Sequence, residues 1–547
     1  MTAPAPFRRT IRAAAFAGLL CSAAPAALAQ AMATAPTVGS GISQEQALAL
    51  TARLDALERQ NAELAAQIQD LKAQASAQTQ AVRDEVHNAP TVSVAGGRPT
   101  ITSADGKFSV SLRGVIQFDA AAYDQASPGP ITTDLRRSGG ALGASASNVD
   151  LTHARELKNG DLFRRARIGI DGTAFGDWDY RILLDFGGSG VENTGQLYEG
   201  WLQYNGLKPV RIRVGAFSPS LGMDDQGSTN GMPFLERSTA TDLARNLAGG
   251  DTRTGAQLFG YGDHWLAAGA VTGRIVGVLN TGTATPVLQT YGDQLGLTGR
   301  LAGTPFYGQD WLIHLGGNGS YVVRPANTTG PSTTGATLVT GQTVSFSDTP
   351  EIRVDGTRLI NTGNIPARHA STLGAEFAAQ RKNLLLQAEY QRLGVERSDG
   401  FANPHFDGFH VQGIWNITGE TRRYNIQTAA FDAPPVARPF NWGHGGWGAW
   451  EAGLRYSDSD LNFDPGSPGT FQTGSSIRGG EEKNITAGVN WYWNSLARVM
   501  FDFQNVRIER LSPATSSTAA STIWFTPPGA QIGQTFNVWS VRTQFAF

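Results

Sequence analysis

Arginines alternate with apolar residues along several segments of this sequence, which holds 38 Arg and six Lys. In a strand, such alternation puts the arginines on one face and the apolar residues on the other. A guanidinium stays charged at physiological pH and can contact two oxygens of a phosphate or carboxylate at once. Rows of these groups indicate a path that attracts anions. The arginines on the polar face are Arg113, Arg165, Arg167, Arg181, Arg211, Arg213, Arg455, Arg507 and Arg542.

A long connection, residues 218–253, adds three more candidate arginines and is long enough to fold inward and narrow a pore. They are Arg237, Arg245 and Arg253. The alternative for any one of the twelve arginines is an ion pair with a neighbouring carboxylate that only holds the wall together. Such carboxylates include Asp119, Asp171, Asp179 and Asp185.

Residues for catalysis or metal binding form no such pattern. The eight His are scattered without metal-ligand spacing or a paired nucleophile motif, and the single cysteine is Cys21. We therefore expect no catalytic residue, no metal and no cofactor. A barrel enzyme with Ser and His on adjacent strands stays open as a minor alternative.

The arginines belong to sixteen segments of alternating polarity, joined by connections that are short and long in turn. Short turns at one rim and long loops at the other are typical of an outer-membrane barrel. The sequence predicts an all-β fold, a 16-stranded antiparallel transmembrane β-barrel preceded by a short coiled-coil helix. The segments are 108–123, 163–175, 178–186, 197–205, 210–217, 254–261, 265–273, 293–301, 310–322, 367–379, 384–394, 406–418, 447–461, 481–493, 496–509 and 534–547.

The last segment ends in NVWSVRTQFAF, in which Trp539, Val541, Phe545 and Phe547 share one face. Backbone groups in lipid must all be paired, so this strand is expected to close against the first. One connection breaks the rule of alternating lengths. The stretch 419–446 falls where a tight turn is expected, so either the strand count slips there or this stretch folds into the pore.

The N-terminus divides into four parts before the barrel. Residues 1–29 have the basic, apolar and small-residue regions of a cleaved secretory signal, and 30–43 form a spacer. A coiled-coil helix is predicted over 44–75, a linker over 76–97 and the barrel over 98–547. Removing Arg8, Arg9 and Arg12 with the signal changes the formal charge from −2 to −5, which disfavours binding to nucleic acid.

The coiled-coil prediction rests on apolar residues at 4-3 spacing with one polar core residue, which favours self-association. A lone amphipathic helix or a disordered spacer are the alternatives. The heptad positions are Leu50, Leu54, Leu57, Asn61, Leu64, Ile68 and Leu71.

Several stretches from residue 97 to the C-terminus resemble the phosphate-selective porins of the O and P type. They include FRRARIGIDGTAFGDWDY at 163–180, Phe234-Leu235-Glu236-Arg237, GWGAWEAGLRYS at 446–457 and GVNWYWN at 488–494. The resemblance implies a homotrimer of sixteen-stranded barrels, a constriction made by the third loop, and an arginine ladder for phosphate or other anions.

Together these observations predict a passive outer-membrane channel that prefers anions such as phosphate or polyphosphate, contacts outer-membrane lipids and has its coiled coil in the periplasm. A general non-selective porin and a barrel-anchored structural or adhesion protein are the alternatives.

Overall fold

The computed structural model describes residues 43–125, 157–188, 195–247, 252–276, 294–326, 342–513 and 528–547. The predicted signal peptide and all but the last residue of the spacer lie outside the described residues. The chain divides into two compact units, Met1–His87 and Asn88–Phe547.

The described part of the first unit is almost entirely one helix, α1, which runs over Gln44–Asn88. The predicted end of the helix at residue 75 is therefore wrong, and so is the linker assigned to 76–97. Residues 75–88 contain good helix formers such as Ala, Gln, Arg and Glu and no Gly or Pro, so propensity carries the helix on until Pro90. Leu50, Leu57 and Leu64 are all exposed on it. Within the described residues, no helix is long and apolar enough to cross a membrane.

The second unit is built on sixteen long antiparallel strands, each paired with its neighbours in sequence. The sheet closes because the last strand pairs with the first, from Phe536 opposite Gln125 to Ala546 opposite Val115. All sixteen predicted segments correspond to these strands. They are β1 (Ser109–Gln125), β2 (Gly160–Ala174), β3 (Trp178–Asp185), β4 (Gln196–Tyr204), β5 (Val210–Phe217), β6 (Arg253–Tyr261), β7 (Trp265–Ile275), β8 (Leu295–Tyr307), β9 (Trp311–Arg324), β10 (Ile365–Arg381), β11 (Leu384–Arg397), β12 (His405–Asn416), β13 (Ala449–Phe463), β14 (Ile477–Tyr492), β15 (Ala497–Glu509) and β16 (Thr535–Ala546).

The alternating pattern of the strands appears directly as alternating burial. In β16, Trp539 and Phe545 are exposed on the outer face, whereas Arg542 between them is fully buried on the inner face. Two short strands, Thr91–Ser93 and Thr100–Thr102, extend the sheet beside the start of β1. An apolar outer face and a polar inner face are what a barrel in lipid requires.

Two long connections fill much of the lumen. The β5–β6 loop, residues 218–252, carries the short helices α2 (Met223–Gln226) and α3 (Thr239–Arg245). The described part of the β9–β10 loop contains short strands at Ser347–Asp348 and Ile360–Asn361. Buried side chains of both loops, such as Leu235 and Phe346, pack in one apolar cluster with wall residues such as Val538.

The exceptional connection between β12 and β13 also folds inward, from the rim that carries the tight turns. Tyr424 and Phe431, which lie in short paired strands of this segment, pack against Leu385 and Ile414 of the wall. The strand count therefore does not slip there, and residues 417–448 are an inserted segment.

Candidate functional site

One charged cavity of about 650 Å³ remains between the inserted loops and the wall formed by β1 to β6. The β5–β6 loop and the 417–448 segment complete its lining. Seven of the twelve candidate arginines lie on it, and no lysine is among the described residues that line it. The seven are Arg113, Arg167, Arg181, Arg211, Arg213, Arg237 and Arg245.

Two β-bulges bring extra side chains to the inner face. In β2 the register with β1 shifts so that Gln117 opposes Arg165 and Phe118 opposes Phe163. The unpaired residue between them, Arg164, points inward like Arg165, because both contact Glu236. In β4 a similar shift beside β3 brings Tyr198 to the cavity next to Glu199. A bulge places two consecutive residues against one partner and redirects a side chain.

Aromatic rings support four of the lining arginines. Arg167 lies 3.5 Å from the ring centroid of Tyr198, and Arg211 lies 3.8 Å from that of Tyr261. Trp201 is approached by two guanidinium groups, Arg213 at 4.6 Å and Arg181 at 5.1 Å. Stacking on a ring stabilises a cation and fixes the plane of its N–H donors.

Carboxylates neutralise several of the lining arginines. Arg167 donates to Asp185 at 2.7 Å, Arg181 to Glu199 at 2.9 Å and Arg245 to Asp225 at 2.7 Å. Arg237 donates instead to the backbone carbonyls of residues 224, 225 and 227. These four arginines therefore have protein partners that hold them in place.

Arg211 and Arg213 on β5 differ from the lining arginines that pair with carboxylates. Among the described residues, neither has a carboxylate within 4.0 Å; Arg211 donates to the carbonyl of Pro209 at 2.9 Å, and Arg213 donates to Gln203 Oε1. Counted over the described lining, seven arginines face five carboxylates, a formal excess of two positive charges. Arg237 also has no carboxylate within 4.0 Å among the described residues, but it is held by three backbone carbonyls.

Glu236 is the centre of a second group of arginines, which hold the β5–β6 loop. Its carboxylate accepts from Arg164 at 2.7 Å and from Arg542 at 2.7 Å, with Arg165 at 3.7 Å and Arg353 at 4.0 Å. Burial raises the pKa of this carboxyl, but the surrounding positive charges outweigh burial and hold the pKa well below its usual range. We call these five residues the Glu236 cluster.

Arginines also hold the backbone of the same loop. Arg422 donates to the carbonyl of Gly231, Arg498 to that of Met232, Arg455 to that of Glu236 and Arg542 to that of Leu235. Charge-assisted hydrogen bonds are among the stronger ones in proteins. The position of the β5–β6 loop inside the barrel is therefore fixed by charged groups of the wall and of the inserted 417–448 segment.

Glycines in the wall admit the aromatic side chain of the loop. A β-carbon added at Gly453 or at Gly488 would lie 2.9 Å or 3.0 Å from the Phe234 ring. Phe234 is fully buried in this position. This contact gives a physical reason for glycine within the stretches 446–457 and 488–494.

The structure places the remaining five predicted arginines away from the cavity. Arg165, Arg253, Arg455 and Arg542 are all buried. Arg455 pairs with Glu351, and Arg542 binds Asp119 through two hydrogen bonds of 2.6 Å. Arg253 is the first residue of β6, so it belongs to the wall and not to the loop. Its side chain donates to the carbonyl of Asn246 at 2.8 Å. For these four, the ion-pair or structural alternative describes the contacts better.

Arg507 is on the opposite face from the one predicted. Its side chain is 63% exposed, on the outer face of β15 with Phe501, and it pairs with Glu509. Val506 and Ile508 take the inner positions and join the apolar cluster of the loops. At the rim that carries the long loops, a polar side chain does not mark the inner face of a strand. The inserted loops pack apolar side chains against the inner face there.

Sequence reasoning missed several inner arginines. Arg300 and Arg498 alternate with apolar residues in LGLTGRLAG and ARVMF, so the same rule could have found them. Arg164, Arg353 and Arg422 carry no such signal, because a bulge and two loops place them. Arg300 binds Glu376 at 2.7 Å and donates to the carbonyls of Thr428 and Ala429 in the inserted segment.

A closed sixteen-stranded barrel with an inward loop and a charged lumen defines a porin, a channel of the outer membrane. The chain belongs to the phosphate-selective porin O and P family, whose model matches residues 137–547. Porin O of Pseudomonas aeruginosa is 26% identical over 398 residues, which cover 70% of this chain and 85% of that protein.

Solved structures show more distant similarity. The anion-selective porin from Comamonas acidovorans is 11% identical with a TM-score of 0.44, over 80% of this chain and 100% of that one. The outer-membrane protein OmpT of Vibrio cholerae, expressed in the outer membrane, is 10% identical with a TM-score of 0.42, over 81% and 98%.

Proposed function

We propose that this protein is a passive diffusion channel of the outer membrane that prefers anions because of Arg211 and Arg213. The observation that carries the proposal is the formal excess of two positive charges on the cavity, together with the lack of a carboxylate partner for these two arginines among the described residues. In a narrow bore with low-dielectric walls, a charge is screened less than on an open surface.

Phosphate is the first permeant to test, because the family is named for it and Porin O is a relative. Bidentate contact between guanidinium and phosphate oxygens suits such a path. The alternative is a general porin through which chloride passes as well as phosphate. The cavity favours some anion preference, since cations there meet more arginines than carboxylates.

A planar-bilayer recording tests the proposal. With potassium chloride at different concentrations on the two sides, the reversal potential is expected to report preference for chloride over potassium. Inorganic phosphate added to one side is expected to reduce the chloride current if it binds in the bore. A reversal potential of the opposite sign would contradict the proposal, whereas free passage of chloride without an effect of phosphate would favour the general porin.

We also propose a homotrimer whose α1 helices pair through the exposed heptad residues in the periplasm, after the signal peptide 1–29 has been removed. The support is the unpaired apolar row on α1, with leucines such as Leu54 about half exposed. Chemical crosslinking of the purified channel in detergent is expected to give a trimer, and a monomer alone would contradict it.

A channel without enzymatic activity fits the same observations better than an enzyme or an adhesin does. The charged lining groups of the cavity hold one another or stack on rings, and Ser238 and His410, which approach to 2.9 Å, are both buried. A substrate would have no access to that pair. An assay of esterase activity on the purified barrel is expected to give none above the rate of the buffer.

A further inference from the structure

We infer that the wall formed by Arg181, Trp201, Arg211 and Arg213 binds organic anions that carry an aromatic ring next to a carboxylate. We call these four residues the Arg–Trp wall. The inference rests on the proposed anion preference and names the kind of anion that the cavity favours.

The first observation is the mixture of side chains on the cavity. Six aromatic rings line it beside the arginines, and a small hydrated anion gains nothing from them. The rings are those of Tyr180, Tyr198, Trp201, Phe217, Phe259 and Tyr261. The cavity volume of about 650 Å³ is in the range of sites for organic ligands. A ligand that uses this lining fully has an apolar ring as well as a negative charge.

The second observation concerns the ring contacts and the hydrogen bonds of the two β5 arginines. Arg213 lies 4.6 Å from the ring centroid of Trp201 and 5.1 Å from that of Phe259, so its guanidinium is held among rings. Arg211 stacks on Tyr261 and, within the described part of the chain, donates one hydrogen bond, to the carbonyl of Pro209. A guanidinium has five N–H donors. Arg211 therefore keeps donors for a carboxylate.

The spacing along the strand fits one ligand that contacts both arginines. Residues two apart on one face of a strand are separated by about 6.6 Å. This is close to the reach of an aromatic ring, its carboxylate and one hydrogen bond placed end to end. The ligand ring would lie against the stack of Trp201 and Arg213, and its carboxylate would accept N–H groups of Arg211.

The test compares two blockers of equal charge and similar size, benzoate and cyclohexanecarboxylate, in planar bilayers with a constant chloride current. Only benzoate has a π face for stacking on a guanidinium. We expect benzoate to halve the current at a concentration about three to ten times lower than cyclohexanecarboxylate. Equal potency of the two blockers would overturn the inference.

Two variants localise the effect. Trp201→Leu is expected to remove the difference between the blockers, and Arg213→Lys, which keeps the charge but not the planar group, is expected to do the same. Trp539→Leu is the matched control, because that ring is 60% exposed on the outer face of β16. Retention of the full difference in both Trp201→Leu and Arg213→Lys would overturn the inference.

The same membranes separate this inference from the proposed function. A reversal potential that reports cation preference contradicts the anion channel, whatever the blockers do. A reversal potential that reports anion preference, with no advantage of benzoate, leaves the channel intact and refutes the aromatic site alone.

Discussion

Replacing both β5 arginines, Arg211→Gln with Arg213→Gln, is expected to abolish most of the preference for anions. Glutamine keeps a polar side chain with N–H donors, so the change removes two charges without making the wall apolar. Since the described cavity lining has a formal excess of two positive charges, the double variant brings that excess to zero.

The size of the effect follows from the distance between the permeating ion and these charges. At about 6 Å in a water-filled bore, each unit charge contributes about 0.7 kcal/mol, rising to about 3 kcal/mol where the wall lowers the effective dielectric constant. Taking about 1 kcal/mol for each arginine, the anion loses about 2 kcal/mol, or about thirtyfold, and the cation gains the same amount. The ratio of anion to cation permeability therefore falls by up to about a thousandfold. Salt at about 0.1 M limits the interaction to about 10 Å.

The assay is the reversal potential of the purified channel in a gradient of potassium chloride, recorded for the double variant, each single variant and Arg507→Gln. Arg507 is the matched control, because its side chain is mostly exposed on the outer face of β15. Its loss is expected to change the permeability ratio less than twofold. If the double variant keeps the wild-type ratio, or if Arg507→Gln lowers it equally, then Arg211 and Arg213 do not set selectivity.

Three further perturbations act on the loop, the inserted segment and the helix. Glu236→Gln leaves the arginines of the Glu236 cluster without their shared carboxylate, which costs about 3–5 kcal/mol of stability. We expect the loop to move and the single-channel conductance to become larger and noisier. A conductance equal to wild type would show that Glu236 does not hold the loop in place. Arg422→Met removes the ion pair with buried Glu451, in which the N–O distances are 2.7 Å, and is expected to loosen residues 417–448. Proteolysis within this segment is expected to be faster in Arg422→Met than in the control Arg392→Met, because the Arg392 side chain is half exposed. Deleting residues 44–88 is expected to leave conductance unchanged and to lower the temperature at which the oligomer dissociates in unheated gels, while an unchanged temperature would show that α1 adds nothing to assembly.

The barrel was predictable from the sequence because each strand carries its own two-residue period. Sixteen segments, their order and the exceptional connection at 419–446 all follow from local alternation and turn spacing. The same period assigned eight of the nine strand arginines to the inner face. The prediction for Arg507 failed because alternation alone does not say which face is the inner one. Near this rim the outer face meets water and the inner face meets apolar loops, so the polar residues lie outside.

The sequence could not show which arginines line the cavity and which hold the β5–β6 loop in place. It depends on where residues 218–252 fold, and that position is set by contacts such as Glu236 with Arg542, which are 306 residues apart in the chain. The bulge that turns Arg164 inward is a shift of one residue in register, which leaves no trace in the polarity pattern. The helix end failed for a simpler reason, since polar residues without periodicity can still be good helix formers.

The Glu236 cluster also connects the β5–β6 loop to the seam where the barrel closes. Two of its arginines come from strands on either side of β1: Arg164 lies on β2 and Arg542 on β16. Arg542 also binds Asp119 of β1, across the pair of strands that closes the barrel. The full set of charged contacts that holds the loop therefore exists only when the first and last strands are paired. Pairing of β16 with β1 closes the wall and also completes the group of charges that holds the loop in the lumen.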